Sequence, residues 1–406
     1  MNEHEWHRVP IGLDARRWVT REGCKSVLVV VHTVTSGQRL LDAIRLVESD
    51  LRIQVVFTTA PDVFGNGVRR FIDRLGVISL PWLQATRQQR FDLAIAASLG
   101  SLHEVHAPLI VMPHGAGFNK LVPAPRDAAR NTSARPAYGL DAQRLLHDGA
   151  VVPTAIVLPH ESELERLGRS CPEALPVGVV VGDSSYDTLV ASLPHRDDYR
   201  RALSVGENQK LVVVTSTWGT QSLFNRRFDV IARLVAELPR QEFRVVALLH
   251  PNTWFGHGVW QIRTWLADCL RQGLMVVPPG ADWRGVLAAA DWVVGDHGSA
   301  TLYGAATGAP VMLAQYPHTA VDPASGFTHL AAIAPRVSPR RSLREQLIEA
   351  ATEVGPGHYS RVTERITSAP GKFNENMHSL IYRLLKLRRP SIVPAARPAA
   401  LPYLVK

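Results

Sequence analysis

Trp292-Val293-Val294-Gly295-Asp296-His297-Gly298-Ser299-Ala300-Thr301 sets the reading of the whole chain. A short apolar run breaks into a dense polar cluster and then a helical stretch. Gly308-Ala309-Pro310 next leads into another apolar run at 311–314. A strand that passes through a polar turn into a helix is the repeating unit of a parallel sheet covered on both faces.

Outward from this stretch the pattern recurs in both directions. In the second half, apolar runs at 211–215, 245–249, 274–277, 292–294 and 311–314 alternate with helical stretches at 228–237, 260–272 and 283–289. In the first half the runs lie at 26–31, 53–58, 92–97, 109–112, 155–158 and 177–181. Leu40, Leu41, Ile44 and Val47 mark a helix over 36–48 by their spacing. The expected fold is therefore α/β, with two Rossmann-like doubly wound domains facing across a cleft and ligands at the carboxyl ends of the strands.

The stretch 187–205 has mixed charge and no strand character, which puts a boundary near it. The expected domains are 1–190, 191–370 and a basic tail, 371–406. In the tail a helix over 373–387 precedes a Pro/Ala-rich end expected to lie loosely on the surface. Residues 124–136, rich in Pro, Ala and Arg, read as a mobile surface loop.

Composition narrows the partners. The chain has 406 residues, long enough for two domains, and is 46% hydrophobic and 20% charged, which is globular. No run reaches transmembrane length, and the first residues, Met1-Asn2-Glu3-His4-Glu5-Trp6, do not read as a signal peptide, so a cytoplasmic location is expected. Cys24, Cys171 and Cys269 form neither a disulfide framework nor a metal spacing, and no metal site is expected. A net charge of +9 favours anionic partners, but neither a zinc-finger spacing nor the aromatics of an RNA-binding sheet points to nucleic acid. Arg383, Lys386, Arg388 and Arg389 would hold the tail against an anionic inner membrane face, or form a solvated or packed basic helix.

Four polar clusters directly follow strands. After 109–112 comes Pro113-His114-Gly115-Ala116-Gly117-Phe118-Asn119-Lys120, where glycines let the backbone turn tightly. His114 suits a general base or a donor to an anion, and Lys120 a phosphate-holding point charge. After 211–215 comes Ser216-Thr217-Trp218-Gly219, where hydroxyls either bind phosphate or cap a helix. His250-Pro251-Asn252 follows 245–249, with His250 aimed by the proline turn. The fourth cluster carries Asp296, His297, Ser299 and Thr301, candidates for binding a nucleotide phosphate, with helix capping as the structural alternative. No Walker loop, nucleophile elbow, H-E-x-x-H pair or dinucleotide fingerprint occurs in context.

The order of these clusters resembles the CDP-glycerol glycerophosphotransferase family, the teichoic-acid-type polymerases of the glycosyltransferase-B fold. The resemblance spans roughly 105–320 and rests on His114-Gly115 to Lys120, Gly182-Asp183-Ser184-Ser185-Tyr186-Asp187, Ser216-Thr217-Trp218, His250-Pro251 and Asp296-His297-Gly298-Ser299. It implies transfer from a nucleotide-diphosphate donor, cytidine-linked, to a hydroxyl acceptor without an obligatory cofactor or metal. His114 would be the base, with His250, Ser299 and the helix after it neutralising the leaving nucleotide. Gly298 stands where the family has a serine, and Tyr303 where it usually has an acid. Two other readings share the architecture: a UDP-N-acetylglucosamine 2-epimerase-type enzyme using Asp183, Asp187 and Asp296, and a non-catalytic nucleotide-binding protein.

Overall fold

The computed structural model describes residues 7–11, 15, 17–87, 89–123 and 135–405. The first six residues and most of the 124–136 loop expected from the sequence lie outside them. The chain divides into two compact units. The first comprises Met1–Phe118, Ala137–Gly182 and Gly371–Ala395; the second comprises Asn119–Pro136, Asp183–Pro370 and Ala396–Lys406.

The first unit is built on a seven-stranded parallel sheet. Its strands are β1 (Lys25–Val31), β2 (Ile53–Thr59), β3 (Ser79–Leu80), β4 (Leu93–Ala96), β5 (Leu109–Val111), β8 (Ala155–Leu158) and β9 (Gly178–Val180). They lie in the order β3-β2-β1-β4-β5-β8-β9. β6 (Leu146–His147) and β7 (Ala150–Val151) form a separate hairpin. The central strands are runs of Val, Leu, Ile and Ala because both faces are covered: Val27 to Val31 and Leu93 to Ala96 are at most 1% exposed. Thr33 and Ser36 close a reciprocal capping box at the start of the helix Val34–Ile44, which fixes the exit from β1.

A five-stranded parallel sheet forms the second unit: β10 (Lys210–Ser216), β11 (Phe243–Leu249), β12 (Met275–Val277), β13 (Trp292–Gly295) and β14 (Val311–Leu313). Their order is β12-β11-β10-β13-β14. In both sheets the first strand lies inside, and connections run outward from it in opposite directions. That reversal opens a crevice beyond the carboxyl ends of β1 and β4 in one unit, and of β10 and β13 in the other.

The chain end departs from the expected loose tail. Its helix stops at Leu384 (Phe373–Leu384) and buries Phe373, Met377, His378, Leu380, Ile381 and Tyr382 on the first unit. Ala396–Lys406 belongs to the second unit, where buried main-chain bonds hold it. Ala399 N–H donates to Ser192 Oγ at 2.8 Å, and Tyr199 Oη donates to the Ala399 carbonyl at 2.8 Å. Val405 N–H donates to Val276 O at 2.9 Å, covering the outer edge of β12, which would otherwise present unpaired groups. The stretch read as a boundary, 187–205, is largely two helices, Ser184–Ser192 and Arg196–Ala202, and the division falls at Gly182. The helix expected over 260–272 is two, Val259–Trp265 and Ala267–Arg271.

Tyr382 ties the C-terminal helix to the turn before β2. Its hydroxyl donates to Asp50 Oδ2 at 2.6 Å, and Arg52 holds the same carboxylate through Nε and Nη2. Arg52 above all, with Tyr382, keeps the Asp50 carboxyl well below the usual carboxylate range despite its partial burial. A depressed carboxylate stabilises the fold above its unfolded value near pH 4 and loses that contribution as pH falls through the folded value. Tyr382→Phe is expected to cost about 1 kcal/mol at pH 7 and nearly as much at pH 3, because pH 3 still lies above the folded value and the Asp50 carboxyl stays ionised in the folded protein. Thermal melts of both proteins at pH 7 and pH 3 check this; a gap that closes by pH 3 contradicts it.

Candidate functional site

In the second unit the crevice between β10 and β13 is organised by one carboxylate. Asp296 follows β13 and is fully buried. It accepts the backbone N–H of Leu223 at 2.7 Å, of Gly298 at 2.9 Å and of Thr217 at 3.0 and 3.1 Å, and the Ser216 hydroxyl at 3.3 Å. One side chain thus fixes the turns after both strands. Burial pushes its carboxyl upward, while the amides of Leu223, Thr217 and Gly298 and the Lys120 charge pull it down. Gly295, just before it, is crowded: a Cβ there would stand 2.3 Å from both Thr215 Oγ1 and Thr301 Oγ1.

Lys120 enters this unit with the segment Asn119–Pro136, far in sequence from the residues it joins. Asn119, Lys120 and Leu121 pair with 320–322: Lys120 bridges Val321, Asp322 N–H donates to Asn119 O, and Leu121 N–H donates to Ala320 O. The Lys120 ammonium lies 5.2 Å from the centroid of the Trp218 ring, a cation–π contact. Burial lowers its pKa and the Asp296 charge resists the change. Beside it His297 is buried, and burial, aided by the Lys120 charge, takes its pKa down to about 3. His297 is therefore neutral at physiological pH, neither a cation nor an acid.

Trp218 also lies 6.4 Å, centroid to centroid, from the partly buried His250. His250 caps the helix Pro251–His257, with Nδ1 accepting the Asn252 N–H at 3.1 Å. An accepting Nδ1 requires, in the neutral ring, that Nε2 carry the proton. His250 is a hydrogen-bond donor, the form suited to a phosphate oxygen.

In the first unit His114 has the opposite tautomer. The side chain is exposed, and its Nδ1 lies 3.1 Å from the Ala97 carbonyl. A carbonyl only accepts, so Nδ1 is protonated and Nε2 holds the basic lone pair. Arg39 Nε donates to the Pro113 carbonyl at 3.3 Å, just before this residue, and Gly117 has φ +68°, which favours glycine. At the β1/β4 crevice of the same sheet, His32 is fully buried and donates Nε2–H to the Gly100 carbonyl at 2.7 Å. Burial lowers its pKa, consistent with a neutral structural residue.

Wall teichoic acid polymerase TagF has the same architecture. A histidine-to-alanine variant of TagF matches with a TM-score of 0.61 at 12% identity, covering 90% of each chain. The fold is that of TagF. A histidine-to-asparagine TagF variant soaked with CDPG matches with a TM-score of 0.60 at 12% identity, covering 89% of each chain. No protein-family profile and no curated protein matches the sequence. The TagF likeness bears out the α/β fold with two Rossmann-like domains expected of a glycosyltransferase-B-type chain.

Against this TagF-like frame the candidate residues separate. Thr217, His250, Asp296, His297 and Ser299 all follow β10, β11 or β13, within one unit. Ser299 is partly exposed at the first position of the helix Ser299–Gly304. Thr301 is fully buried, its hydroxyl 2.7 Å from that of Thr215, because two residues past Ser299 the helix has turned it toward the sheet. Asp296 is fully buried too, with its oxygens accepting from the amides of Leu223, Thr217 and Gly298. Lys120, expected beside His114, belongs to the other unit. Trp218, read only as part of a turn, is the aromatic between Lys120 and His250.

Both departures from the family pattern have a local cause. A Cβ on Gly298 would meet Asp296 Oδ1 and Thr217 Cβ at 3.1 Å, so the close approach of the two turns favours glycine. Tyr303 is buried, its ring tilted against Trp283 at 5.2 Å between centroids, with its hydroxyl on Asp183 at 2.8 and 3.0 Å. Asp183 also caps the helix Ser184–Ser192 through Tyr186 N–H. Asp183, Asp187 and Asp296, the carboxylates of the epimerase reading, are all at most 5% exposed. Among the described residues no helix is long and apolar enough to cross a membrane, and no metal-binding group of His, Cys, Asp and Glu occurs.

Proposed function

We propose that the protein is a transferase moving a glycerophosphate or glycosyl group from a nucleotide-diphosphate donor, CDP-linked by preference, to an acceptor hydroxyl. The observation that carries this reading is the opposed tautomers of His114 and His250. His114 Nε2 removes the proton from the acceptor hydroxyl, whose oxygen then attacks the transferred group. The bond to the leaving nucleotide breaks as its phosphate gains charge. That charge is met in the second unit by Lys120 and the His250 Nε2–H, with neutral His297 beside them. Lys120 matters most because a phosphate beside it would favour its charged form against the burial that lowers its pKa, and Trp218 lies 5.2 Å from its Nζ. The TagF fold and the CDPG-soaked TagF variant support a cytidine-linked donor.

Thermal shifts with CDP, UDP, GDP and ADP test the donor. One diphosphate is expected to stabilise the protein, by about 2.7 kcal/mol at 100 times its Kd, and Lys120→Ala to weaken that response at least tenfold. Preference for UDP would move the donor class; indifference to all four would defeat the transferase reading and leave a binding protein for other ligands.

A further inference from the structure

The exit of β14 gathers three side chains whose hydrogen-bonding groups the fold leaves unused. After Leu313 the chain runs Ala314-Gln315-Tyr316-Pro317-His318, and the same loop goes on to pair with Lys120 through Val321. Outside β14, Leu313 N–H donates to Pro335 O at 2.9 Å and Val337 N–H donates to Leu313 O at 3.1 Å, which brings Arg336 alongside. Its guanidinium carbon lies 4.7 Å from the centroid of the Tyr316 ring, and the His318 ring stands edge-on to that ring, also at 4.7 Å. Tyr316 is itself stacked on Phe327, which is fully buried in the helix Gly326–Ile333. Arg336 and His318 are exposed, and Tyr316 is partly so. Among the described residues, neither the Arg336 guanidinium, the Tyr316 hydroxyl nor the His318 ring has a hydrogen-bond or ion-pair partner. By contrast, Arg196 and Arg200 of the same unit hold Asp291, and Arg233 holds Glu237.

We propose that Arg336, backed by Tyr316 and flanked by His318, is an anion subsite for a phosphate group, additional to Lys120 and His250. A guanidinium held against an aromatic ring keeps its N–H donors for a ligand, and its planar fork matches two phosphate oxygens where an ammonium offers a point charge. Because the ring already orients the guanidinium, less side-chain freedom is lost on binding than at an ordinary surface arginine. Partial burial lowers the pKa of Arg336 while leaving it protonated, so the charge is short of water and gains from an anion. The loop is also weighted toward cations. Arg135 donates to its Thr319 carbonyl, and Asp322 is the one acid between 314 and 326. The phosphate can belong to a nucleotide or to a phosphorylated acceptor. Binding stands apart from the transferase reading; the part it plays in a turnover rests on that reading.

The test reads the arginine itself. Proton–nitrogen spectra of the full chain, with the Arg336 Nε–H signal assigned by its loss in Arg336→Gln, are followed as inorganic phosphate, glycerol 3-phosphate or CDP is added. At least one probe is expected to move that signal with a Kd on the order of 1 mM or tighter. Arg336→Gln should melt like the wild type and bind that probe about tenfold more weakly. Arg336→Lys should fall between them, because the charge remains and the fork does not. Arg340→Gln removes another exposed arginine of the same segment and should bind as the wild type does. Lys120→Ala should leave the Arg336 response in place. Weakening confined to CDP assigns the subsite to the nucleotide; weakening confined to glycerol 3-phosphate and phosphate assigns it to a phosphorylated acceptor. An Arg336 signal unmoved by all three probes, equal weakening in Arg340→Gln, or a response abolished in Lys120→Ala overturns the proposal. Indifference to CDP with the glycerol 3-phosphate response intact would defeat only the transferase reading.

Discussion

Replacing His114 by Ala is expected to lower the rate of transfer by about 10²- to 10⁴-fold while leaving the melting temperature and donor affinity unchanged. The side chain is exposed, so its loss should change stability by less than about 0.5 kcal/mol. The groups assigned to the donor belong to the other unit, so diphosphate binding is the internal control. Rates and diphosphate melts on the same preparation decide the matter: a variant that transfers at the wild-type rate excludes His114 as the base. Loss of both rate and diphosphate binding would instead mean that the loop had collapsed.

Replacing Asp296 by Ala should be among the most damaging changes in the second unit. It strands the buried N–H groups of Leu223, Thr217 and Gly298, each costing about 1–3 kcal/mol, and leaves Lys120 without its nearby counter-charge. A loss of about 3–5 kcal/mol, a fall in melting temperature on the order of 10 °C, and loss of diphosphate binding are expected. Asp296→Asn keeps an accepting oxygen for part of the amide set and should fall between. Calorimetry of the three proteins checks the order; an Asp296→Ala variant as stable as the wild type would mean that the turns hold themselves.

How far the sequence revealed this arrangement depended on whether the cause was local. β8 and the helix Phe228–Glu237 are read to the residue, because a bounded apolar run and an apolar stripe are local signals. β3, only two residues long, carries no such signal. The strand-end rule points to His114, Thr217, His250 and the run at 296–299. The burial of Thr301 follows from the helix turn, which a count of polar residues does not register. The unit to which Lys120 belongs was hidden because six residues of separation from His114 suggest proximity, whereas the ladder of Asn119–Leu121 with 320–322 joins segments about two hundred residues apart. The role of Asp296 was hidden for a related reason: its partners are backbone amides, which no residue pattern announces.

The interleaving of the two units along the chain sets how this protein can be dissected. The backbone passes between them five times, at 118/119, 136/137, 182/183, 370/371 and 395/396. A gene cut at the most natural boundary, 182/183, would therefore give a second half lacking Asn119–Leu121, and with it the Lys120 cation. Its first half would lack the helix Phe373–Leu384, exposing the face that Phe373, Met377 and Ile381 cover. Neither fragment contains its own unit. Supplying the missing pieces in trans restores the contacts only after paying the entropy of association, and in the intact chain each unit closes late, once sequence-distant segments have met. Recombination that swaps one half for a homologous half would break this arrangement unless both halves changed together.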